Sequence, residues 1–325
     1  MDVISSRDQE GVFETPILLI FWRRPKAVTQ VIESLRRLAP SQLYLAGDGP
    51  REGHEGEAGQ VQMTREAVEA AIDWPCQVHR RYSDRNQGCK YGPSNAIGWF
   101  FENVTEGIIL EEDCLPHDSF YSYCRSLLER YRDDTRVWQI SGNNFLDDQW
   151  FGDGSYFFGG YTTTWGWATW RRCWQAYDPE MMAWSDVRRS GLLTNAFEAQ
   201  DELEFWTRIW DRLTEQNYPV TWDYQWNYLC FANGGLSAIP NQNLVSNIGF
   251  GADGTHCLDE TDPFAQLKSN DLGELIHPSL VLRNWQADRQ LFTTLYQKPL
   301  NKTEKLKLEI FHTLKAIRQK IKMRP

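Results

Sequence analysis

The chain has 325 residues, 41% of them hydrophobic and 24% charged, a balance that excludes a disordered or membrane-embedded protein and leaves room for one large domain or one domain with an appendage. Its formal net charge of −10 is unevenly spread: residues 298–325 carry nine Lys/Arg against two Glu, a net of +7, which leaves −17 for residues 1–297. An acidic body excludes a nucleic-acid backbone as partner, because that ligand needs a basic groove.

Residues 1–15 form a polar, acidic N-terminal segment without the basic and apolar regions of a secretory signal. The first apolar run, "ILLIFW", is too short to span a bilayer. Seven scattered cysteines (76, 89, 114, 124, 173, 230 and 257) include no CxxC pair and no zinc-ligand spacing. Together these features lead us to expect a cytoplasmic chain with reduced thiols.

"PILLIFW" (16–22) reads as a strand, and the helix after "RRP" places Val28, Val31, Ile32, Leu35 and Leu38 on one side. A second strand from Gln42 to Ala46 runs into a Gly/Asp/Pro loop, followed by a helix over residues 60–72. "CQVHRRYS" is a third strand, and "NQGCKYGPSNAIGWFFENV" supplies a turn and a helix beginning near Pro93 or Ser94. "GIILEEDC" is a strand ending on acids, "PHDSFYSYCRSLLERYR" a helix and "RVWQISGNN" another strand. Strands alternating with helices at this spacing predict an α/β fold with a mostly parallel sheet flanked by helices. Such sheets bind ligands beyond the carboxyl ends of their strands. Arg23, Arg24, Asp48, Glu111, Glu112 and Asp113 all fall at such ends.

From residue 150 the chain becomes rich in Gly and aromatics, and this part reads as an acceptor-side half continuous with the first. Most of the 15 Trp residues, Trp206, Trp222 and Trp226 among them, are expected in the core, although aromatic faces also suit sugar rings. "GFGADGTHC" (249–257) is either a loop that folds over a ligand or a plain surface turn.

A strand tip bearing Glu111, Glu112 and Asp113 can hold a hard divalent cation, Mn²⁺ or Mg²⁺, which uses one or two carboxylates plus substrate phosphates. The ion would bridge Asp113 to a diphosphate and act on the leaving group, with Glu112 in support; the alternative is a solvated acidic loop. Arg24 could contact a base or diphosphate, and Asp48 could accept from a base or ribose. GxxxxGK[ST], GxGxxG after the first strand and HExxH are all absent, which disfavours P-loop, dinucleotide and zinc-hydrolase chemistry.

The order "ILLIFWRRP", "LYLAGDG", "GIILEEDCLPHDSF", "TTWGWATW", "TWDYQW" and "SNIGFG" resembles the GT-A-fold nucleotide-sugar glycosyltransferases, especially the β-1,2-N-acetylglucosaminyltransferase type and its bacterial relatives, over residues 16–257. The resemblance implies a Rossmann-like GT-A domain over 16–260, followed by an extension over 261–297. It implies nucleotide-sugar contacts at Arg24, Asp48, Glu111 and Glu112, with Asp113 ligating the metal. Trp165, Gly166 and Trp167 would line the sugar or acceptor pocket, and Asp223 would be the general base of an inverting transfer. Here the sequence departs from the family pattern, which has a second acid where Tyr224 stands. Asp223 also reads as a helix N-cap. His256 is a candidate third metal ligand or diphosphate contact, and equally a structural histidine. The implied partners are a nucleoside diphosphate sugar and a glycan or glycolipid acceptor.

In residues 298–325 the apolar Leu306, Ile310, Leu314, Ile317 and Ile321 recur at helical spacing among Lys and Arg, which predicts a basic amphipathic helix. Residues 302–325 would attach the chain peripherally to the inner face of an anionic membrane, or dock on the acidic body. Two other functions fit the sequence: a sugar-nucleotide-forming nucleotidyltransferase, disfavoured by the lack of Gly in "FWRRPK", and a non-catalytic carbohydrate-binding protein, which would leave the acidic triplet unexplained.

Overall fold

A computed structural model describes residues 12–146, 149–215, 221–251 and 262–297. His256, Cys257 and the basic segment 298–325 lie outside the described residues. The first half runs β1 (Ile17–Phe21), α1 (Pro25–Leu38), β2 (Gln42–Gly47), α2 (Glu57–Ala71), β3 (Gln77–Tyr82), α3 (Gly88–Asn103), β4 (Glu106–Glu111), β5 (Cys114–Pro116) and α4 (Asp118–Arg130). The second runs β6 (Val137–Ser141), β7 (Tyr156–Gly159), β8 (Trp167–Trp170), α5 (Arg171–Trp174), α6 (Trp184–Ser190), α7 (Gln200–Leu213), α8 (Asp223–Ala232), β9 (Leu236–Pro240), β10 (Val245–Asn247) and α9 (Trp285–Tyr296).

Eight strands form one sheet in the order β3-β2-β1-β4-β8-β6-β9-β7, and β5 pairs with β10 beside it. β3, β2, β1 and β4 are mutually parallel; β8 is antiparallel to both β4 and β6, β9 is parallel to β6, and β7 is antiparallel to β9. Six strands therefore share one direction, and the sheet is continuous across both halves of the chain. β1 is apolar throughout because it is central and covered on both faces. Pro25 starts α1, where its missing N–H costs nothing, and Val28, Val31, Ile32 and Leu35 are buried on one face.

Two expected boundaries differ. Helix α3 begins at Gly88, ahead of Pro93, because a proline in the second turn forfeits only the bond to Cys89. "GIILEEDC" is not one strand: β4 stops at Glu111, the chain turns, and Cys114 opens β5 opposite Asn247 of β10.

One apolar core surrounds β1, β2 and β4, and a second, mostly aromatic, gathers Tyr161, Trp184, Trp206, Trp210, Phe231 and α9. Trp206, Trp222 and Trp226 are buried, as their spacing led us to expect. The six described cysteines are free thiols. No described helix is long and apolar enough to cross a membrane.

Candidate active site

The carboxyl ends of β1 to β4 open into a cleft of about 1140 Å³. Trp22, Arg24, Asp48 and Glu111 to Asp113 line one side, while Trp165, Trp222, Asp223 and Gly249 arrive from the second half. Four apolar residues bury β4 between β1 and β8, so its last residue, Glu111, emerges at the sheet edge.

The cation beside the acidic triplet is Arg24, 88 residues away in sequence. Its Nε donates to Glu112 Oε1 at 2.6 Å and a terminal nitrogen to Asp113 Oδ2 at 2.9 Å. Glu112 is 4% exposed and accepts a further bond from the Trp22 backbone N–H at 2.8 Å. Burial opposes the Arg24 charge, but Glu112 and Asp113 outweigh it and hold the guanidinium above its ordinary pKa. Burial also raises the Glu112 carboxyl, against the pull of Arg24 and the Trp22 N–H. The pairing of β5 with β10 folds residues 247–249 onto this knot: Ile248 N–H donates to the Asp113 carbonyl at 2.8 Å, and a Cβ on Gly249 would collide with Asp113 and lie 2.7 Å from Arg24. A larger residue there would have to displace Asp113 and Arg24.

Glu111 is in a different situation. Burial, then the charges of Asp113 and Asp223, push its carboxyl up to about 8, and among the described residues it forms no ion pair. Burial and then the charges of Glu111 and Asp223 push the thiol of Cys89, also in the cleft, up to about 12. Acids from the two halves thus face one another across the cleft.

Asp48 accepts from the backbone N–H of Gly49 at 2.8 Å, from that of Gln87 at 2.9 and 3.0 Å and from the Asn86 side chain at 2.9 Å. These bonds occupy most of its acceptor capacity and tie the β2 loop to the start of α3. Burial raises its pKa despite them. Beside it, the Trp22 indole donates to the Gly49 carbonyl at 2.8 Å, and Arg23 and Arg51 lie over the Trp22 ring at 4.5 and 5.1 Å.

Asp223 is the first residue of α8, whose N-cap is Trp222, and the Thr221 hydroxyl donates to it. Trp165 lines the cleft, edge-on to Phe145 and Phe250 at 4.9 and 5.9 Å. Gly166 has a φ of +63° and accepts from Gly142 N–H at 2.8 Å, so it makes a turn behind the cleft. Trp167 is fully buried, stacked on Trp222 at 5.7 Å, and does not reach the cleft surface. Its expected lining role gives way to packing, because β8 runs between β4 and β6. Trp22, Cys89 and the Asn86–Gln87 clamp also line the cleft, with adjacency to "RRP" and the "NQGC" turn as their only signals in the sequence.

Among the described residues no three His, Cys, Asp or Glu side chains form a ready-made metal cage. The donors present are nonetheless of the right type for Mg²⁺ or Mn²⁺: carboxylate oxygens, with Glu111 lacking an ion-pair partner among the described residues and repelled by Asp113, Asp223 and Glu112.

The sequence matches no protein-family model and no curated protein. Solved structures with partial likeness include a mannosyltransferase from Pyrobaculum calidifontis in complex with GDP-Man and Mn²⁺, at 11% identity and TM-score 0.33 over 49% of this chain and 46% of that one. Mouse xyloside xylosyltransferase 1, apo form, aligns at 12% identity and TM-score 0.36 over 67% of this chain and 81% of that one. UDP-glucose pyrophosphorylase complexed with UDP-glucose aligns at 9% identity and TM-score 0.27, over 50% and 71% respectively. The chain spans less than half the length of the mannosyltransferase. Likeness at this level assigns neither an activity nor a ligand.

Proposed function

We propose that this protein is a glycosyltransferase that moves a sugar from a nucleoside diphosphate donor to a hydroxyl group of a glycan or glycolipid. The observation that carries this reading is the meeting, in one cleft, of acids and arginines at the tips of parallel strands with Asp223 and Trp165 from the second half of the same sheet.

In this reading Glu111 and Asp113 hold Mn²⁺ or Mg²⁺, which when bound supplies Lewis-acid stabilisation of the departing diphosphate. Arg24 keeps Glu112 and Asp113 in place as their counter-ion, replacing the direct nucleotide contact expected from sequence. Asp48 shapes the nucleotide side of the cleft through the loops it binds. Trp165 offers an aromatic face to the sugar. Asp223 takes the proton of the attacking hydroxyl, and a single base opposite the leaving group gives inversion. His256 and the membrane contact through 302–325 complete the proposal from sequence alone.

Thermal shift with a set of nucleoside diphosphate sugars, with and without Mn²⁺, tests it, since a ligand of the folded state raises apparent stability. One metal-dependent hit is expected, lost in Asp113→Ala. Asp223→Asn should retain donor binding and lose transfer. Full transfer by Asp223→Asn removes Asp223 as the base, and the absence of any nucleotide-sugar response removes the reading. Pyrophosphate release from a nucleoside triphosphate and a sugar phosphate would favour the nucleotidyltransferase instead.

A further inference from the structure

The segment 276–285, "IHPSLVLRNW", is tied firmly along β7, the edge strand of the sheet. Ser155 N–H donates to the Ile276 carbonyl at 2.7 Å, the Ile276 N–H to Ser155 Oγ at 2.8 Å and the Asn284 N–H to the Phe158 carbonyl at 2.7 Å. The Tyr156 hydroxyl meets His277 Nδ1 at 2.9 Å. This strap covers an edge that would otherwise offer unpaired backbone.

Its side chains do not fit a plain surface cover. Val281 packs inward, while its neighbours Leu280 and Leu282 are each 69% exposed; Ile276 is 48% exposed and Trp285 36%. These four are among only ten large hydrophobic residues exposed across the described residues. Arg283 stacks on the Trp285 ring at 3.7 Å and bonds Asp288 at 2.6 Å, so the indole is held in place at the rim. A groove of about 380 Å³ runs between this strap and residues 152–158, and Trp150, 55% exposed, lies two residues before it.

We propose that the strap, with Leu280, Leu282 and Trp285, is a membrane-docking face that inserts into an anionic phospholipid bilayer. Two independent features select this occupant. The strap leads directly into α9, after which residues 298–325 bring a net +7, the complement of an anionic leaflet. An outward set of leucines flanked by a fixed tryptophan is also the composition of a bilayer interface. Stable attachment needs two such signals, because neither a small apolar patch nor a basic segment suffices alone.

The strap runs parallel to β7, with Ile276 beside Ser155 at the cleft end of the sheet and Leu280, Leu282 and Trp285 towards its other end, around Phe158, so the docking face is separate from the cleft. The docking itself does not depend on the proposed chemistry and is tested without it.

The test is co-sedimentation of the full chain with phosphatidylcholine vesicles, with and without phosphatidylglycerol, accompanied by hydrogen exchange. The wild type should bind the anionic vesicles, more weakly at high salt, with new protection over 276–285. Leu280→Ser/Leu282→Ser should bind about tenfold or more weakly at an unchanged melting temperature, since both side chains are already in water. Binding unaffected by the double substitution, or bound protein without protection of the strap, overturns the proposal. So does a self-association broken by the same substitutions in a chain that ignores vesicles, since the face would then join two copies.

Discussion

Arg24→Met tests the electrostatic knot at the β4 tip most directly. The substitution keeps much of the side chain's bulk and removes the cation bonded to both Glu112 and Asp113. Breaking a buried pair by deleting one partner costs about 3–5 kcal/mol, because the surviving charge is left uncompensated. Arg24 is 16% exposed at its side chain and Glu112 keeps its Trp22 N–H bond, so the lower end applies, about 3 kcal/mol at neutral pH. Against a total of roughly 5–15 kcal/mol this is easily measured by urea denaturation. The pH dependence has a definite sign. Burial holds the Glu112 carboxyl above its ordinary pKa in the folded state even with Arg24 present, and losing Arg24 raises it further. A carboxyl raised on folding costs stability when ionised, so the variant's deficit should be full above its folded pKa and shrink as pH falls toward the ordinary carboxylate range. Arg24→Lys should recover part of the loss, since a lysine keeps the charge but cannot span both carboxylates. A deficit below about 1 kcal/mol at neutral pH, or one constant with pH, would refute the argument and place the pair in effectively aqueous surroundings.

Gly249→Ala should separate Arg24 from Asp113, because the added methyl lies 2.7 Å from a guanidinium nitrogen and 2.8 Å from Asp113 Cβ. A loss of roughly 1–3 kcal/mol in urea is expected, and metal-dependent ligand binding should fall with it. Cys89, with its thiol pushed up to about 12 by burial and the charges of Glu111 and Asp223, should resist iodoacetamide at pH 8. Glu111→Gln should speed that alkylation, read by peptide mass spectrometry; an unchanged rate would show that the two side chains do not sense each other.

The strands and helices of the first half were legible because each depends on nearby residues: the unbroken apolar run of β1, the proline opening α1 and the four-residue periodicity behind it. The strand-end rule likewise collected Arg24, Asp48 and the acids without knowing the sheet order. What it could not show was how they pair. Arg24 meets Glu112 across 88 residues, and Asp48 is engaged by Asn86 and Gln87, partners that no local pattern in the sequence signals. β5 and β10 are three residues each and hold only through one another, which leaves no periodicity to detect. Trp165 and Trp167 look equivalent in "TTWGWATW", yet the turn at Gly166 leaves one at the cleft and buries the other in the sheet.

Glu111 and Asp223 reach the cleft from different halves of the chain. Glu111 comes from the buried end of a strand, where burial and neighbouring acids disfavour its charge more than Arg24 favours it. Asp223 comes from the first position of α8, where the Thr221 hydroxyl donates to it. In the proposed function the first half would bind the diphosphate and the cation, and α8 would deliver the carboxylate that deprotonates the nucleophile; the two halves are joined by the β4–β8 pairing. A variant that shifts α8 without unfolding the sheet, such as Tyr177→Phe, which removes the hydroxyl bonded at 3.0 Å to the Trp222 carbonyl, should impair transfer more than donor binding. Equal losses in both would mean that Asp223 serves donor binding, and the division of labour between the halves would fail.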